Sequence, residues 1–353
     1  MLYQTENPHG GDLYSRPIRL DFSANTNPFG TPESVCRAVV ESTGLLNQYP
    51  DPYCRELVDA LSDFEGVPQE YILCGCGAAE LIFSFCTAVK PKRALELAPT
   101  FSEYSSALET VGCRVERFLL KQENGFLLTE EFIEVIQRSD CDVVFLCNPN
   151  NPTGRMIPPE LLECIADRCH ERGVRLFLDE CFLDLSDRGR ELSLKYKLQS
   201  QPGLFLLKAF TKSYGMAGLR LGYCLSADGE LLKTMGHSVQ PWNVSLPAQK
   251  AGVAALREKE FLEKTRVEIR TQRTWMKSRL EQMGFYVCPA RANYLLLHHE
   301  LPMYDLLLER GILVRDCANY HGLEKGWFRV AVRREEENRI LMDAIQAVLR
   351  EEG

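Results

Sequence analysis

Between residues 55 and 240, short apolar runs alternate with segments that have the spacing of amphipathic helices. Apolar runs lie at 143–147, 176–178 and 204–207, and the segment 158–173 has apolar residues three or four positions apart. Continuous apolar strands separated by helices are typical of a parallel sheet that helices cover on both faces. The pattern predicts an α/β fold with its sheet within roughly residues 40–240.

A different pattern begins near residue 240. Residues 241–284 have the spacing of one long helical region, which we expect to be broken near its prolines. Shorter strands and helices follow as far as the C-terminus. This order predicts a separate α+β domain, which the N-terminal segment would join.

Composition and charge exclude several classes of protein. The chain has 353 residues and a net charge of −8, and an acidic balance argues against nucleic acid as a partner. No run approaches the ~18 apolar residues of a membrane span. The N-terminus lacks a basic segment followed by an apolar run, as a signal peptide would have. We therefore expect a cytoplasmic protein with no membrane partner.

The chain contains fourteen cysteines, which in a reducing cytosol are expected to be free thiols. Cys74 and Cys76 form a C-x-C pair, and Cys164 and Cys169 lie five positions apart. Neither pair has a second pair at zinc-site spacing. We interpret the cysteines as small buried apolar residues and predict no metal site.

Polar residues cluster where four predicted strands end, at 75–80 (GCGAAE), 148–154 (NPNNPTG), 179–180 (DE) and 211–212 (TK). In an open parallel sheet, ligands bind at the carboxyl ends of the strands. Each segment also has an ordinary structural explanation. A lysine after a strand is usually a solvated loop residue, an Asp-Glu pair often caps a helix, and NPNNPTG suits a turn.

The segment 75–80 also has a competing functional interpretation. A strand, a Gly-x-Gly turn that opens a helix, and an acidic residue about 20 positions on, here Glu96, suggest a dinucleotide or S-adenosylmethionine site. The third glycine of that fingerprint is missing from this sequence. Because Gly-x-Gly turns are common, this signal is weak.

Taken together, the four strand ends resemble those of the fold-type I PLP-dependent enzymes, the superfamily of aspartate aminotransferase. The matching motifs are Asn25–Gly30 (NTNPFG), Tyr49–Pro52 (YPDP), Asn148–Gly154 (NPxxPTG), Asp179–Glu180, Thr211–Ser213 and Gly218–Tyr223. Asp179 follows Asn151 by 28 residues and Arg220 follows Lys212 by eight, as in that superfamily. The resemblance covers essentially the whole chain.

The resemblance implies a fold and a cofactor. The fold is α/β, with a mostly parallel seven-stranded sheet flanked by helices in a large domain, and a small α+β C-terminal domain. We expect an N-terminal segment at 1–30 that packs on the small domain and the active site, a large domain at 31–245 and a small domain at 246–353. The cofactor is pyridoxal 5′-phosphate (PLP), an electron sink for a carbanion at the substrate Cα.

The resemblance also implies roles for three residues near the cofactor ring. Lys212 would hold the cofactor as a Schiff base and then act as acid and base. Asp179 would pair with the pyridine nitrogen and keep it protonated. Asn151 would donate a hydrogen bond to the ring O3′. Lys212 and Asp179 are therefore the predicted catalytic residues.

The other positions assigned to the cofactor are Gly77, Ala78, Ala79, Phe101, Phe182, Thr211, Arg220 and Tyr49. Backbone N–H groups at 77–79 open a helix and, with Arg220, would bind the cofactor phosphate. Phe101 would stack on the ring. Tyr49 would reach the phosphate of a neighbouring subunit, which implies a homodimer.

Two positions depart from the aminotransferase pattern. Phe182 stands where those enzymes usually have a tyrosine that donates to O3′, and a phenylalanine cannot donate. Ala209 stands where a serine often contacts the phosphate. We expect PLP binding to survive both changes, with a different tuning of the cofactor.

Within the superfamily, the short chain and its motifs resemble the histidinol-phosphate aminotransferase branch. The segments 8–11 (PHGG) and 20–30 (LDFSANTNPFG) are similar to the threonine-phosphate decarboxylases of cobalamin biosynthesis. The implied substrate is L-threonine O-3-phosphate or a close amino-acid phosphate such as phosphoserine. The substrate residues implied are His9, Asn27, Asn151, Arg315 and Arg329. Arg329 would bind the carboxylate, and His9 and Arg315 the phosphate.

The type of reaction stays open at this stage. PLP enzymes break the substrate bond that stands perpendicular to the ring, and that angle depends on sub-ångström placement that a sequence does not give. An aminotransferase for histidinol phosphate or an aromatic amino acid is the alternative to a decarboxylase. A non-catalytic sensing protein that uses the same scaffold is a remote third possibility.

Overall fold

Short strands and helices alternate along the chain, as the apolar pattern predicted. The computed structural model describes residues 9–352, so residues 1–8 (including Pro8 of the predicted N-terminal motif) and residue 353 lie outside the described residues. In chain order, the strands are β1 (Leu20–Asp21), β2 (Ile72–Gly75), β3 (Arg93–Ala98), β4 (Arg114–Leu119), β5 (Val143–Cys147), β6 (Arg175–Asp179), β7 (Leu204–Ala209), β8 (Gly222–Leu225), β9 (Tyr286–Val287), β10 (Tyr294–His298), β11 (Ile312–Leu313), β12 (Arg315–Asp316) and β13 (Trp327–Ala331). The α-helices are α1 (Glu33–Ser42), α2 (Arg55–Glu65), α3 (Gly77–Val89), α4 (Glu103–Thr110), α5 (Glu131–Arg138), α6 (Pro159–Glu171), α7 (Phe210–Ser213), α8 (Gly229–Ser238), α9 (Leu246–Leu256), α10 (Lys259–Gln282), α11 (Met303–Leu308) and α12 (Glu335–Glu352).

Strands β2 to β8 form one seven-stranded sheet in the order β2-β8-β7-β6-β5-β3-β4. Neighbouring strands are parallel except at β8, which is antiparallel to β2 and to β7. The predicted mostly parallel sheet is therefore confirmed. The register places Cys147 opposite Asp179 and Asp179 opposite Leu207. The carboxyl ends of β5, β6 and β7 thus lie side by side.

Helices cover both faces of this sheet, and each face has its own apolar core. Successive side chains of a strand point to opposite faces. In β5, Val144 and Leu146 belong to one buried cluster, while Val143, Phe145 and Cys147 belong to the other. A strand buried on both sides needs apolar residues at every position. This explains why β5 is a continuous apolar run in the sequence.

The second, smaller sheet is antiparallel and has the order β12-β13-β10-β9. Helices α10, α11 and α12 pack with it around a separate core that includes Leu295, Phe328 and Ile345. The N-terminal segment joins this unit, because β1 pairs in parallel with β11, with Leu20 opposite Ile312. Each unit thus has an apolar core of its own.

The long helical region divides at a different place from the one we expected. Helix α9 begins at the prolines instead of breaking there, with Pro247 in its first turn and the Ser245 side chain accepting a hydrogen bond from the Ala248 amide. A proline is tolerated in the first turn because its missing N–H would have no partner there. The break lies between Leu256 and Lys259. Helix α9 packs on α1 and α2 of the larger unit.

Residues 9–352 contain no helix that is both long and apolar enough to cross a membrane.

All fourteen cysteines are free thiols, and eleven of them are buried. In the same range, no three His, Cys, Asp or Glu side chains lie close enough together to hold a metal ion.

Candidate active site

A cavity of about 320 Å³ lies at the carboxyl ends of β5, β6 and β7, where the two units meet the N-terminal segment. Twelve of the predicted site residues line it: His9, Ala78, Ala79, Phe101, Asn151, Asp179, Phe182, Thr211, Lys212, Arg220, Arg315 and Arg329. They come from distant parts of the chain. The crossover connections bring together those that follow strands of the large sheet, because these strands end at the same edge. His9 comes from the N-terminal segment, and Arg315 and Arg329 come from the smaller sheet.

Lys212 lies in the short helix α7, which directly follows β7. Its Nζ atom is 5.7 Å from the centroid of the Phe182 ring. Burial is the main cause that lowers the pKa of Lys212 to about 8, and the nearby positive charge of Arg329 adds to the shift. At pH 7, about a tenth of this lysine is therefore an uncharged, nucleophilic amine, far more than of a lysine with the ordinary pKa of 10.5.

Asp179 is the last residue of β6 and is buried. The Tyr104 hydroxyl donates to its Oδ2 at 2.6 Å, and the Cys181 amide donates to its Oδ1 at 2.8 Å. Burial raises the pKa of Asp179, and these two donors oppose that shift. A cation placed against Asp179 would favour its charged form. The site thus suits a protonated nitrogen.

The turn between β2 and α3 forms a tight cradle next to Arg220. Gly77 has a φ of 81°, and a Cβ atom built on it would lie 2.7 Å from the Arg220 Nη2. A Cβ on Gly222 would lie 2.7 Å from the Ala78 amide nitrogen. The open N-terminus of α3 and a guanidinium group therefore face the same small space, which is suited to an anion.

Glu96 does not take part in this cradle. Its carboxylate accepts hydrogen bonds from Arg117 at 2.8 Å and from Ser105 at 2.6 Å. Glu96 is buried and is not among the residues that line the cavity, so it is not placed to contact a ribose held at the Gly-x-Gly turn. The dinucleotide and S-adenosylmethionine interpretation of the segment 75–80 is therefore wrong.

Arg329, on β13, is buried in the wall of the cavity. Its Nη2 donates to the Ser23 carbonyl at 2.9 Å, and its Nη1 donates to the Asn151 Oδ1. When the amide oxygen of Asn25 faces the guanidinium group, it accepts from Nη1 and Nε at 3.2 Å. The N-terminal segment and the Asn151 turn thus hold Arg329 in a fixed position.

Arg315, on β12, is a second buried guanidinium group in the same wall. Its Nη2 donates to Asn319 Oδ1 at 2.9 Å, and its Cζ lies 5.2 Å from the centroid of the Tyr320 ring. The partners of Arg315 differ from those of Arg329. The cavity therefore presents two separately held positive charges.

His9 lies at the mouth of the cavity beside Phe101, with 6.1 Å between the ring centroids. Its Nε2 is 3.0 Å from the Glu103 Oε1, and this hydrogen bond is the main cause that lowers the pKa of Glu103. Gly10 follows, and a Cβ on it would lie 2.7 Å from the Ser23 carbonyl oxygen. A glycine is needed where the backbone approaches so closely.

Three predicted residues do not line the cavity. Gly77 forms the cradle behind it. Asn27 is buried, and its amide donates to the Ser213 carbonyl at 2.8 Å and to Thr265 Oγ1 at 3.0 Å. Those bonds hold the segment after Lys212, so the structure gives Asn27 a supporting place and not the predicted substrate contact. Tyr49 is 77% exposed.

Several residues that line the cavity were missed. They are Gly10, Ser23, Ala24, Asn25, Ile82, Cys147, Cys181 and Tyr320; Ala209, which the sequence had named only as a departure from the aminotransferase pattern, also lines the cavity. Asn25 lies within the NTNPFG motif that the sequence had singled out, so that motif could have indicated it. Tyr320 lies on a loop with no such signal.

Comparisons with known proteins agree with this geometry. Residues 17–345 match the family described as aminotransferase class I and II. The threonine-phosphate decarboxylase of Salmonella typhimurium is 39% identical over 362 residues, which cover 97% of this chain and 96% of that protein. The resemblance predicted from the sequence motifs is confirmed.

Two solved structures show the same fold. The histidinol-phosphate aminotransferase of Clostridium acetobutylicum has a TM-score of 0.87 at 27% identity, covering 94% of this chain and 99% of that chain. The histidinol-phosphate aminotransferase of Sinorhizobium meliloti, solved in complex with pyridoxal-5′-phosphate, has a TM-score of 0.87 at 22% identity, covering 96% and 92% of the two chains. The predicted fold-type I architecture is confirmed.

Proposed function

The chain belongs to the class I and II aminotransferase family, and we propose that it decarboxylates L-threonine O-3-phosphate, or a close amino-acid phosphate such as phosphoserine, to the amino-alcohol phosphate in cobalamin biosynthesis. The observation that carries the proposal is the pair of buried guanidinium groups, Arg315 and Arg329, in the same cavity as Lys212. An amino-acid phosphate has two anionic groups. The identity to the Salmonella decarboxylase supports the choice of substrate.

The chain is a PLP-dependent enzyme, and the residues of the cavity fit that cofactor. The Gly77 cradle with Arg220 suits its phosphate, buried Asp179 suits its pyridinium nitrogen, and Phe101 offers an aromatic ring beside it. When bound, PLP accepts the electrons of the bond that is broken at the substrate Cα. We assign Lys212 as the residue that holds the cofactor.

Lys212 would also move the proton in the proposed reaction. Decarboxylation breaks the bond between Cα and the carboxylate, releases CO2 and requires one proton at Cα. With a pKa of about 8, the Lys212 amine can both hold and release a proton near neutral pH. The protonated amine would deliver that proton to the carbon that carried the carboxylate and would become neutral.

The arginines would orient the substrate. Arg329 would bind the carboxylate, since its own partners, Ser23 and Asn151, fix the direction of its guanidinium group. Arg315 and His9 would bind the phosphate. A guanidinium group can donate two parallel hydrogen bonds to either anion, which fixes angle as well as position. Because both anions would be held, the distance between their binding sites would determine which bond at Cα stands perpendicular to the cofactor ring.

The assay for this proposal is 31P NMR of the holoenzyme with L-threonine O-3-phosphate, together with trapping of CO2. We expect CO2 and aminopropanol phosphate in equal amounts without 2-oxoglutarate, and no turnover of L-threonine, which lacks the second anion. For Arg315→Ala we expect kcat/KM to fall by about tenfold or more. The exposed arginine variant Arg339→Ala should match the wild type. Absence of CO2 would reject the proposal.

An aminotransferase for histidinol phosphate is the second candidate, because the same two arginines could bind its phosphate and the second anion of a keto acid. The similarity to the Clostridium histidinol-phosphate aminotransferase, at 27% identity, supports this second candidate. The same assay decides between them. Formation of glutamate from 2-oxoglutarate with histidinol phosphate, and no CO2 from threonine phosphate, would identify an aminotransferase.

We also propose that the chain forms a homodimer in which Tyr49 contacts the partner's cofactor phosphate. Tyr49 is 77% exposed and stacks on Trp242 with 4.3 Å between the ring centroids. Leu46 and Tyr53 are exposed nearby in the sequence. Apolar surface of this kind is usually covered. Sedimentation velocity should give twice the 40.2 kDa mass of the chain; a fully active monomer would contradict the dimer.

A further inference from the structure

A second cavity, of about 360 Å³, lies between the turn after Gly154, helix α10 and the loop that joins β9 to β10. It shares no lining residue with the active-site cavity. Four of its lining residues are cationic: Arg155, Arg273, Lys277 and Arg291. Met156, Pro289 and Ala290 contribute apolar surface. Cationic groups and an apolar wall thus line one space.

The carboxylates next to these cations do not balance their charge. Asp187 is shared, at 2.5 Å from Arg273 Nη2 and 3.0 Å from Arg291 Nη1, and Lys277 pairs with Glu281. No ion pair is found for Arg155 within residues 9–352. Four cations against two carboxylates leave two positive charges in excess. Such an excess favours an anion that carries two charges.

Arg155 also has unused hydrogen-bonding capacity. Its Nη1 donates to the Pro289 carbonyl at 3.2 Å. Its Nε is buried and has no hydrogen-bond partner among the described residues. A buried donor without a partner costs free energy. An anion in the cavity would supply an acceptor to this guanidinium group.

The cavity wall is held in place before any ligand arrives. Arg273 is 5% exposed and donates to the Ala292 carbonyl at 3.0 Å. The Arg291 amide donates to the Gly154 carbonyl at 2.8 Å, and the Asn150 amide donates to the Arg155 carbonyl at 2.8 Å. A preorganised site spends less free energy on ordering when it binds.

We propose that this cavity is a second binding site, and that its ligand is an organic phosphate whose phosphate group contacts Arg155 and Arg291 while its apolar part packs on Met156, Pro289 and Ala290. Guanidinium groups bind phosphate with two parallel hydrogen bonds. The volume exceeds that of the active-site cavity, so the space is larger than a bare phosphate needs. The proposal does not depend on the reaction that the enzyme catalyses.

The test is isothermal titration of the full-length holoenzyme with two probes, ADP and inorganic pyrophosphate. We expect ADP to bind once per chain at this site. Arg155→Ala and Arg291→Ala should each weaken ADP binding by about tenfold. Arg291 is a suitable position because its side chain is 66% exposed, so its removal leaves the core intact. Unchanged melting temperatures would confirm that both variants are folded.

Two control variants locate the binding. Arg339→Ala removes an arginine that is similarly exposed, at 62%, and pairs with Glu335; it should leave the affinity for ADP unchanged. Arg315→Ala alters only the active-site cavity and should also leave it unchanged. Loss of binding in either control, or equal binding in Arg155→Ala and wild type, would overturn the proposal. If pyrophosphate bound and ADP did not, the proposal that the ligand has an organic part would be wrong.

Discussion

At the scale of single residues, burial moves both predicted catalytic groups toward their neutral forms. It lowers the pKa of Lys212 and raises that of Asp179, because a charge loses solvation in a buried site. In the proposed holoenzyme, a protonated cofactor nitrogen would offer Asp179 a compensating cation. For Lys212 the same effect is useful, since only the neutral amine is a nucleophile.

The pKa of Lys212 predicts how the apoprotein takes up PLP. The neutral fraction of the amine rises with pH through a midpoint near 8, instead of the 10.5 of an ordinary lysine. The rate of uptake, followed by visible absorbance, should therefore increase with pH and level off above about pH 9. Lys212→Ala should lack the absorption band of the Schiff base. A rate that still climbs steeply above pH 10 would show an unshifted lysine.

Removal of the buried Tyr104 hydroxyl should lower stability more than removal of an exposed tyrosine hydroxyl. Its hydroxyl donates to Asp179 at 2.6 Å within the core, while that of Tyr196 donates to Glu163 at 2.6 Å and its residue is 62% exposed. In Tyr104→Phe, Asp179 loses a donor that water cannot replace. We expect a loss of about 1–3 kcal/mol in the free energy of unfolding, with lower activity.

Tyr196→Phe is the matched control for that experiment. Because water replaces its lost hydrogen bond, we expect a change within about 0.5 kcal/mol. Urea unfolding of the two holoenzyme variants measures both values. Equal losses in both variants would mean that the Tyr104 bond adds nothing beyond an exposed one.

At the scale of elements, the turn from β2 into α3 joins sheet to helix and also forms the anion cradle. Gly77 has a positive φ and lies against Arg220, whereas Gly66, at the end of α2, has a φ of 68° and no neighbour within 4 Å of a built Cβ. At Gly77, both the positive φ and the nearby Arg220 oppose a side chain. At Gly66, only the positive φ opposes one.

Substitution of the two glycines therefore distinguishes the effect of backbone strain from the effect of displacing Arg220. We expect Gly66→Ala and Gly77→Ala each to cost about 1–2 kcal/mol of stability. Only Gly77→Ala should also weaken PLP binding, by about tenfold or more, since its Cβ would push the guanidinium group away. Equilibrium dialysis of PLP measures this. Similar PLP affinity in both variants would remove Arg220 from the phosphate site.

At the scale of the whole molecule, a buried ionic network joins the sheet to the helices around it. Lys208, on β7, lies 3.0 Å from Glu180 and 3.8 Å from Asp184. Glu65, at the end of α2, accepts from Tyr223 on β8 at 2.6 Å and pairs with Arg190 at 2.9 Å. Removing one partner of such a network leaves uncompensated charge in the interior.

We expect Lys208→Met to destabilise the protein by about 3–5 kcal/mol, because Glu180 and Asp184 would lose their buried cation. Lys250→Met removes a lysine that is 42% exposed and pairs with Glu56 at 2.5 Å. That control should cost no more than ~1 kcal/mol, because solvent screens the pair. Denaturant unfolding compares the two. A small loss in Lys208→Met would show that the buried pairs contribute little.

Local sequence patterns predicted the elements well, because the apolar spacing of a strand buried on both faces differs from that of an amphipathic helix. Asn151, Asp179 and Lys212 were predicted near one another for a similar reason, since they lie at or after the carboxyl ends of parallel strands. The pattern did not predict where the long helical region divides. That position depends on how α9 packs against α1 and α2, which is a tertiary contact.

The sequence by itself determined the α/β fold, the family and the residues that follow the central strands, since these depend on spacing along the chain. Only the tertiary structure decided how the second unit closes the site. It brought Arg315 and Arg329 over the strand ends, placed Asn27 behind the cavity and Asn25 in it, and formed the basic cavity around Arg155. Such contacts join residues more than a hundred positions apart, so no local pattern encodes them.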